Sequence, residues 1–136
     1  MTGIRALLVD DDVHVRESLG AILKFLGCTV VACASGRQAL ERAGSRPLHL
    51  SFIDQQLTDD DGVSLLQRMQ QKRIGGRKVL MSGHPVPMTG LPAEVELFMP
   101  KPIRLDDTAL LLHHLQLITH EKLSALGLRH LARRAS

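Results

Sequence analysis

Trp and Tyr are absent from this 136-residue chain, and Phe occurs only three times. Proteins that hold single-stranded nucleic acid stack bases on aromatic rings, and that class of function has almost no material to work with here. No run of about 18 apolar residues exists, and the N-terminus passes straight into a strand pattern. Neither a membrane span nor a secretory leader is therefore expected, and a cytoplasmic protein is the default. Cysteine is scarce as well. Cys28 and Cys33 lie five apart in one strand-like run, where a period of two sends them to opposite faces, so they are expected as separate buried thiols with no disulfide between them.

Charge of one sign is missing from most of the chain. Residues 1–119 carry as many acidic as basic side chains, so the formal net charge of +3 arises wholly in residues 120–136. There Lys122, Arg129, Arg133 and Arg134 face only Glu121, a basic tail or helix extension whose default reading is a solvated, partly frayed end. With 44% apolar residues, one domain over 1–119 is the expected organisation, cored by aliphatic side chains.

Apolar runs at strand spacing alternate with helical periodicity five times. Arg5 to Val9 precedes a helix marked by Val15, Leu19, Ile22, Leu23 and Leu26, which Gly27 stops. Cys28 to Cys33 precedes a helix capped by Ser35, and Leu48 to Ile53 precedes one marked by Val63, Leu66 and Met69. Lys78 to Met81 and Glu96 to Met99 are the last two strands, with a leucine-rich helix from Leu105. Parallel strands need crossover helices to return, so the pattern predicts a doubly wound α/β fold around a parallel sheet. Between the last two strands, Gly83 to Pro92 holds three prolines and two glycines, which predicts a short turn of helix or an irregular loop in place of a full helix. On the last helix Leu111, Leu112, Leu115 and Ile118 form the face expected toward the sheet. Leu110 and Leu117 lie on the other side, where contact with a second copy or a partner is the lesser reading.

The chemistry gathers at strand ends. Asp10, Asp11 and Asp12 follow the first apolar run and Asp54 closes the third, while Ser82 follows the fourth and Lys101 the fifth. In an open parallel sheet these ends meet on one rim. Two carboxylates about 4 Å apart repel by roughly 4 kcal/mol at an effective dielectric near 20, so such a cluster calls for a divalent ion, and oxygen-only ligands favour Mg²⁺. A cation there permits attack of a carboxylate on a phosphoryl group, with Ser82 and Lys101 as contacts for phosphoryl oxygens. Asp12 reads as a cap for the first helix. The seven histidines lack the spacing of a zinc site.

From residue 4 to about 118 the chain resembles the receiver domain of two-component response regulators. The resemblance is carried by Leu8-Val9-Asp10-Asp11-Asp12, by Asp54 followed eight residues later by Gly62, by Met81-Ser82-Gly83 and by Phe98-Met99-Pro100-Lys101-Pro102. It implies a flavodoxin-like, five-stranded parallel sheet of order 2-1-3-4-5. It implies that Asp54 accepts a phosphoryl group from a histidine kinase or histidine phosphotransfer protein. Asp10, Asp11 and the Gln56 carbonyl would hold Mg²⁺ beside Asp54, Ser82 and Phe98 would form the switch toward a downstream protein target, and Lys101 would contact phosphate. A cis Lys101-Pro102 bond is expected as in the family. Gln56 and His84 match positions that flank the phosphate.

The chain departs from the family pattern at Thr58, where proline is common, and adds Asp59, Asp60 and Asp61. Either these acids raise cation affinity or they are solvated. Two other functions compete with a bacterial phosphorelay protein that is not a turnover enzyme. A haloacid dehalogenase-type phosphatase would use Asp10 as nucleophile and leave Asp54 without a role. A docking or nucleic-acid-binding module would work through the basic tail; no membrane partner is expected, and nucleic acid is not favoured.

Overall fold

A computed structural model of the chain describes residues 3–84 and 91–135. The chain divides into two compact units, Met1–Pro102 and Ile103–Ser136. In the first, β1 (Ile4–Val9), β2 (Cys28–Cys33), β3 (Leu50–Asp54), β4 (Arg77–Ser82) and β5 (Leu97–Pro100) form a single sheet of order β2-β1-β3-β4-β5, all neighbours parallel. The crossovers are α1 (Val13–Phe25), α2 (Gly36–Ala43) and α3 (Gly62–Gln71).

The central strands are apolar without alternation because both faces of the sheet are covered. Leu7, Val9 and Ile53 point to one face and join Ala39, Ala43, Leu65, Leu66 and Met69 of α2 and α3. Ala6, Leu8, Leu50 and Phe52, of opposite parity, are equally buried, and α1 turns its buried Leu19 and Leu23 inward along β1 and β2. Buried Ser51 is compensated by donating its hydroxyl to the Gly75 carbonyl at 2.7 Å. Cys28 and Cys33 are both buried and unpaired, and burial pushes the Cys28 thiol up to about 11, beyond the reach of ordinary thiolate chemistry.

The three crossover helices each begin at a polar cap, of which Asp12 and Ser35 are expected from the sequence and Asp61 is not. Asp12 accepts from the His14 N–H, Ser35 from Gln38 and Asp61 from Ser64. Among the described residues no helix lies between β4 and β5, in line with the prolines there, though residues 85–90 of the Gly83 to Pro92 stretch lie outside the described part.

The second unit departs from expectation. Its first helix, α4 (Leu105–His114), ends four residues before Ile118 because Gln116 adopts a φ of 60°, so Leu115 and Ile118 do not continue its apolar face. Thr108, Ala109 and Leu112 are the residues that α4 buries. The basic end is no frayed tail. It folds as α5 (His120–Ala125) and α6 (Arg129–Ala135), in which Leu123 and Leu131 are buried, as is Leu128 between them, while Lys122, Arg129 and Arg133 stay exposed.

Gly62 marks where fold and chemistry meet. A Cβ at this position would lie 2.3 Å from the Asp54 carbonyl oxygen and 2.8 Å from the Gln55 Cα, so only glycine lets α3 start against the end of β3. Gly62→Ala is expected to lower unfolding free energy by about 3 kcal/mol in urea titrations, because backbone and not a flexible side chain stands in the way.

Candidate functional site

Strand register brings the acidic residues together. Val9 pairs with Ile53, Asp54 with Met81, and Ser82 with Pro100. The ladder runs one residue past the strand ends: Asp10 N–H donates to Cys33, Gln55 N–H to Met81, and Lys101 N–H to Ser82, at 3.1, 2.8 and 2.8 Å. Asp10, Asp54, Ser82 and Lys101 thus occupy one rim of the first unit. They line a cavity of about 240 Å³ together with Asp11, Asp12, Gln56, Gly83 and His84. The Lys101-Pro102 bond is cis.

Carboxylate oxygens of Asp10, Asp11 and Asp54 lie within 4.8 Å of one another. Ionised together at that spacing, each pair repels by roughly 3–4 kcal/mol at an effective dielectric near 20. Lys101 relieves part of this. Its Nζ lies 2.7 Å from Asp10 Oδ2 and 3.1 Å from Asp54 Oδ1, with the lysine side chain only 19% exposed. Burial works against the charge of Lys101, but the hydrogen bonds to Asp10 and Asp54 outweigh it and raise its pKa. Asp54 carries the residual cost: burial raises its pKa, Lys101 draws it back, and the Asp10 charge raises it again. An oxygen-only set of three converging carboxylates fits a hard divalent cation such as Mg²⁺.

Asp10 is held from several sides. Its Oδ1 accepts the Asp12 N–H at 2.9 Å, and Arg16 donates to its carbonyl at 2.7 Å. Asp11 by contrast is exposed. Arg16 escapes a sequence reading, because its place in the first turn of α1 does not reveal that it reaches back to the residue after β1. Ser82 is buried and engaged within its own loop, donating to the His84 carbonyl at 2.9 Å and accepting from the His84 N–H at 3.1 Å. Phe98 is half-buried on β5 opposite Leu80, and Gln56 is exposed at the cavity wall.

Of the three extra acids, Asp59 and Asp61 are exposed and Asp60 is half-buried, and each has a partner in the fold. Asp59 accepts from the Gly36 and Arg37 N–H groups, Asp60 pairs with Arg68, and Asp61 caps α3. Hydrogen bonds from Gly36 and Arg37 hold the Asp59 carboxyl below its ordinary range.

This fold and rim define a doubly wound α/β domain with a carboxylate cluster at the carboxyl edge of its parallel sheet, and comparison with known proteins gives its family. The sequence model of the response regulator receiver domain matches residues 6–113. The chain belongs to that family, the receiver domains of two-component signalling. It is 30% identical over 122 residues to the Sensor protein TorS of Escherichia coli, covering 86% of this chain and 13% of TorS. It is 29% identical over 103 residues to the Transcriptional activator protein PfeR of Pseudomonas aeruginosa, covering 74% of this chain and 34% of PfeR. The chain therefore spans about a third or less of these relatives. Among solved structures, a CheY-like receiver domain protein from Methanospirillum hungatei is similar with a TM-score of 0.77 at 25% identity, covering 91% of this chain and 99% of that one. The response regulator protein TrrA from Thermotoga maritima, solved in complex with Mg(2+)-BeF, shares the fold with a TM-score of 0.75 at 20% identity, covering 82% of this chain and 98% of that one. No described helix is long and apolar enough to cross a membrane.

Because the Asp54 carboxyl is raised, its ionised form costs folding free energy once pH exceeds the unfolded value near 4. In metal-free buffer, Asp54→Asn should be more stable than wild type by on the order of 1 kcal/mol at neutral pH. The difference should grow from pH about 4 upward and vanish below it, as read by urea unfolding across pH.

Proposed function

We propose that this chain is a phosphoacceptor receiver in which Asp54 takes a phosphoryl group from the phosphohistidine of a histidine kinase or histidine phosphotransfer protein. The observation that carries this reading is the convergence of Asp10, Asp11 and Asp54 carboxylates on a rim where Lys101 reaches both Asp10 and Asp54. An Asp54 carboxylate oxygen attacks phosphorus, the phosphorus–nitrogen bond breaks, and the imidazole leaves with the electron pair and takes up a proton. Asp10, Asp11, Asp54 and the backbone carbonyl of Gln56 are the groups that would hold Mg²⁺. When bound, that ion supplies charge neutralisation between the attacking carboxylate and the phosphoryl oxygens.

Lys101 offers a compact positive charge to the transferred group and need move little, since it already touches the acceptor. Ser82 must give up its bond to the His84 carbonyl before it can donate to a phosphoryl oxygen, which exchanges one hydrogen bond worth about 1 kcal/mol for a charge-assisted one. That exchange, with Phe98 turning inward beside it, is the switch that would alter a protein-binding surface for a downstream target. In this reading residues 1–119 form the receiver and residues 120–136 an extension of it. The domain carries a signal and is not a turnover enzyme, and it works in the cytoplasm. Similarity to a sensor protein, TorS, and to a transcriptional activator protein, PfeR, supports a kinase-class donor for this chain.

Incubation with acetyl phosphate and Mg²⁺ tests this by intact-protein mass. Wild type should gain one phosphoryl group and Asp54→Asn none, while Ser82→Ala should still be modified. Modification that survives in Asp54→Asn and disappears in Asp10→Asn would point to a phosphatase-type nucleophile and defeat the proposal.

A further inference from the structure

The loop from β3 to α3 turns back on itself beside the acceptor. Gly62 N–H donates to the Gln55 carbonyl at 2.8 Å, Gln56 bridges Asp61 in antiparallel fashion, and Leu57 N–H donates to the Asp60 carbonyl at 3.1 Å. Thr58 and Asp59 form the tip of this small hairpin. Two strands this short, with no sheet alongside, do not hold their shape unaided. The base is pinned where α3 starts at Gly62 against Asp54.

The tip is pinned by Asp59. Its Oδ1 accepts the Gly36 N–H at 2.9 Å and its Oδ2 the Arg37 N–H at 3.1 Å. These are the first N–H groups of α2, which no carbonyl inside the helix can satisfy, and Ser35 already serves the next one at Gln38. One exposed carboxylate thus ties two loops that lie 22 and 23 residues apart in sequence. Gln56, whose carbonyl belongs to the proposed cation set, sits on the arm between the pinned base and the pinned tip.

We propose that Asp59 is a positioning residue for the cation site: by fastening the hairpin tip to the start of α2, it holds the Gln56 carbonyl at the rim. This rests on the reading of Asp10, Asp11, Asp54 and Gln56 as the Mg²⁺ set. Asp59 does not touch the ion. It acts as outer partners of metal ligands do, and loss of such partners weakens binding without removing a ligand.

The test is Mg²⁺ affinity of the full chain by isothermal titration calorimetry. Wild type is compared with Asp59→Ala, Asp59→Asn, Ser35→Ala and Asp10→Asn, and thermal unfolding is followed in parallel. Asp59→Ala should raise the Mg²⁺ Kd about tenfold. Asp59→Asn, which keeps one acceptor oxygen, should fall between it and wild type. Ser35→Ala removes a cap from the same helix without touching the hairpin, so it should lower the melting temperature while leaving the Kd at the wild-type value. A wild-type Kd in Asp59→Ala, or a loss in Ser35→Ala as large as in Asp59→Ala, overturns the positioning role alone. Failure of wild type itself to bind Mg²⁺, or binding untouched by Asp10→Asn, overturns the underlying site as well.

Discussion

Negative charge crowded at the carboxyl edge of a parallel sheet is the constraint around which this protein is built. Register places the residue after β1 and the last residue of β3 side by side, and both are aspartate. A buried pair of that kind is unfavourable, and the surrounding structure is arranged to bear it. Lys101 bridges both carboxylates, the Asp12 N–H holds one oxygen of Asp10, and Arg16 steadies its backbone. What remains uncompensated falls on Asp54, the group whose proposed chemistry replaces one anion by a larger one.

Acidic residues of the first unit do unlike work. Asp10 and Asp54 are buried at the rim, Asp12 and Asp61 cap helices, Asp60 pairs with an arginine, and Asp59 joins two loops. The same carboxylate is a liability where water is excluded and a convenience where free helix N–H groups face it. Composition alone cannot separate these uses. Distance to the nearest unsatisfied donor does.

The C-terminal stretch illustrates how local signals compete. Leucines at helical spacing suggest one long final helix, yet the chain breaks after His114 and rebuilds two short helices, with Leu123, Leu128 and Leu131 buried. The positive charge there is displayed on exposed faces of folded segments, so counting charge correctly did not reveal its setting.

Alternation of period-two and helical runs was enough to obtain five strands, the crossovers, the Asp12 and Ser35 caps and the rim on which Asp10, Asp54, Ser82 and Lys101 meet. These features depend on spacing along the chain, and spacing is what a sequence displays directly. Family likeness added the strand order and the cis bond before Pro102, both of which the protein has. The Arg16 anchor, the Asp59 tie, the loop engagement of Ser82 and the end of α4 became visible only once the chain was folded. Each depends on which of several competing donors and acceptors comes within about 3 Å, and that choice is made by packing between segments that a linear reading keeps far apart.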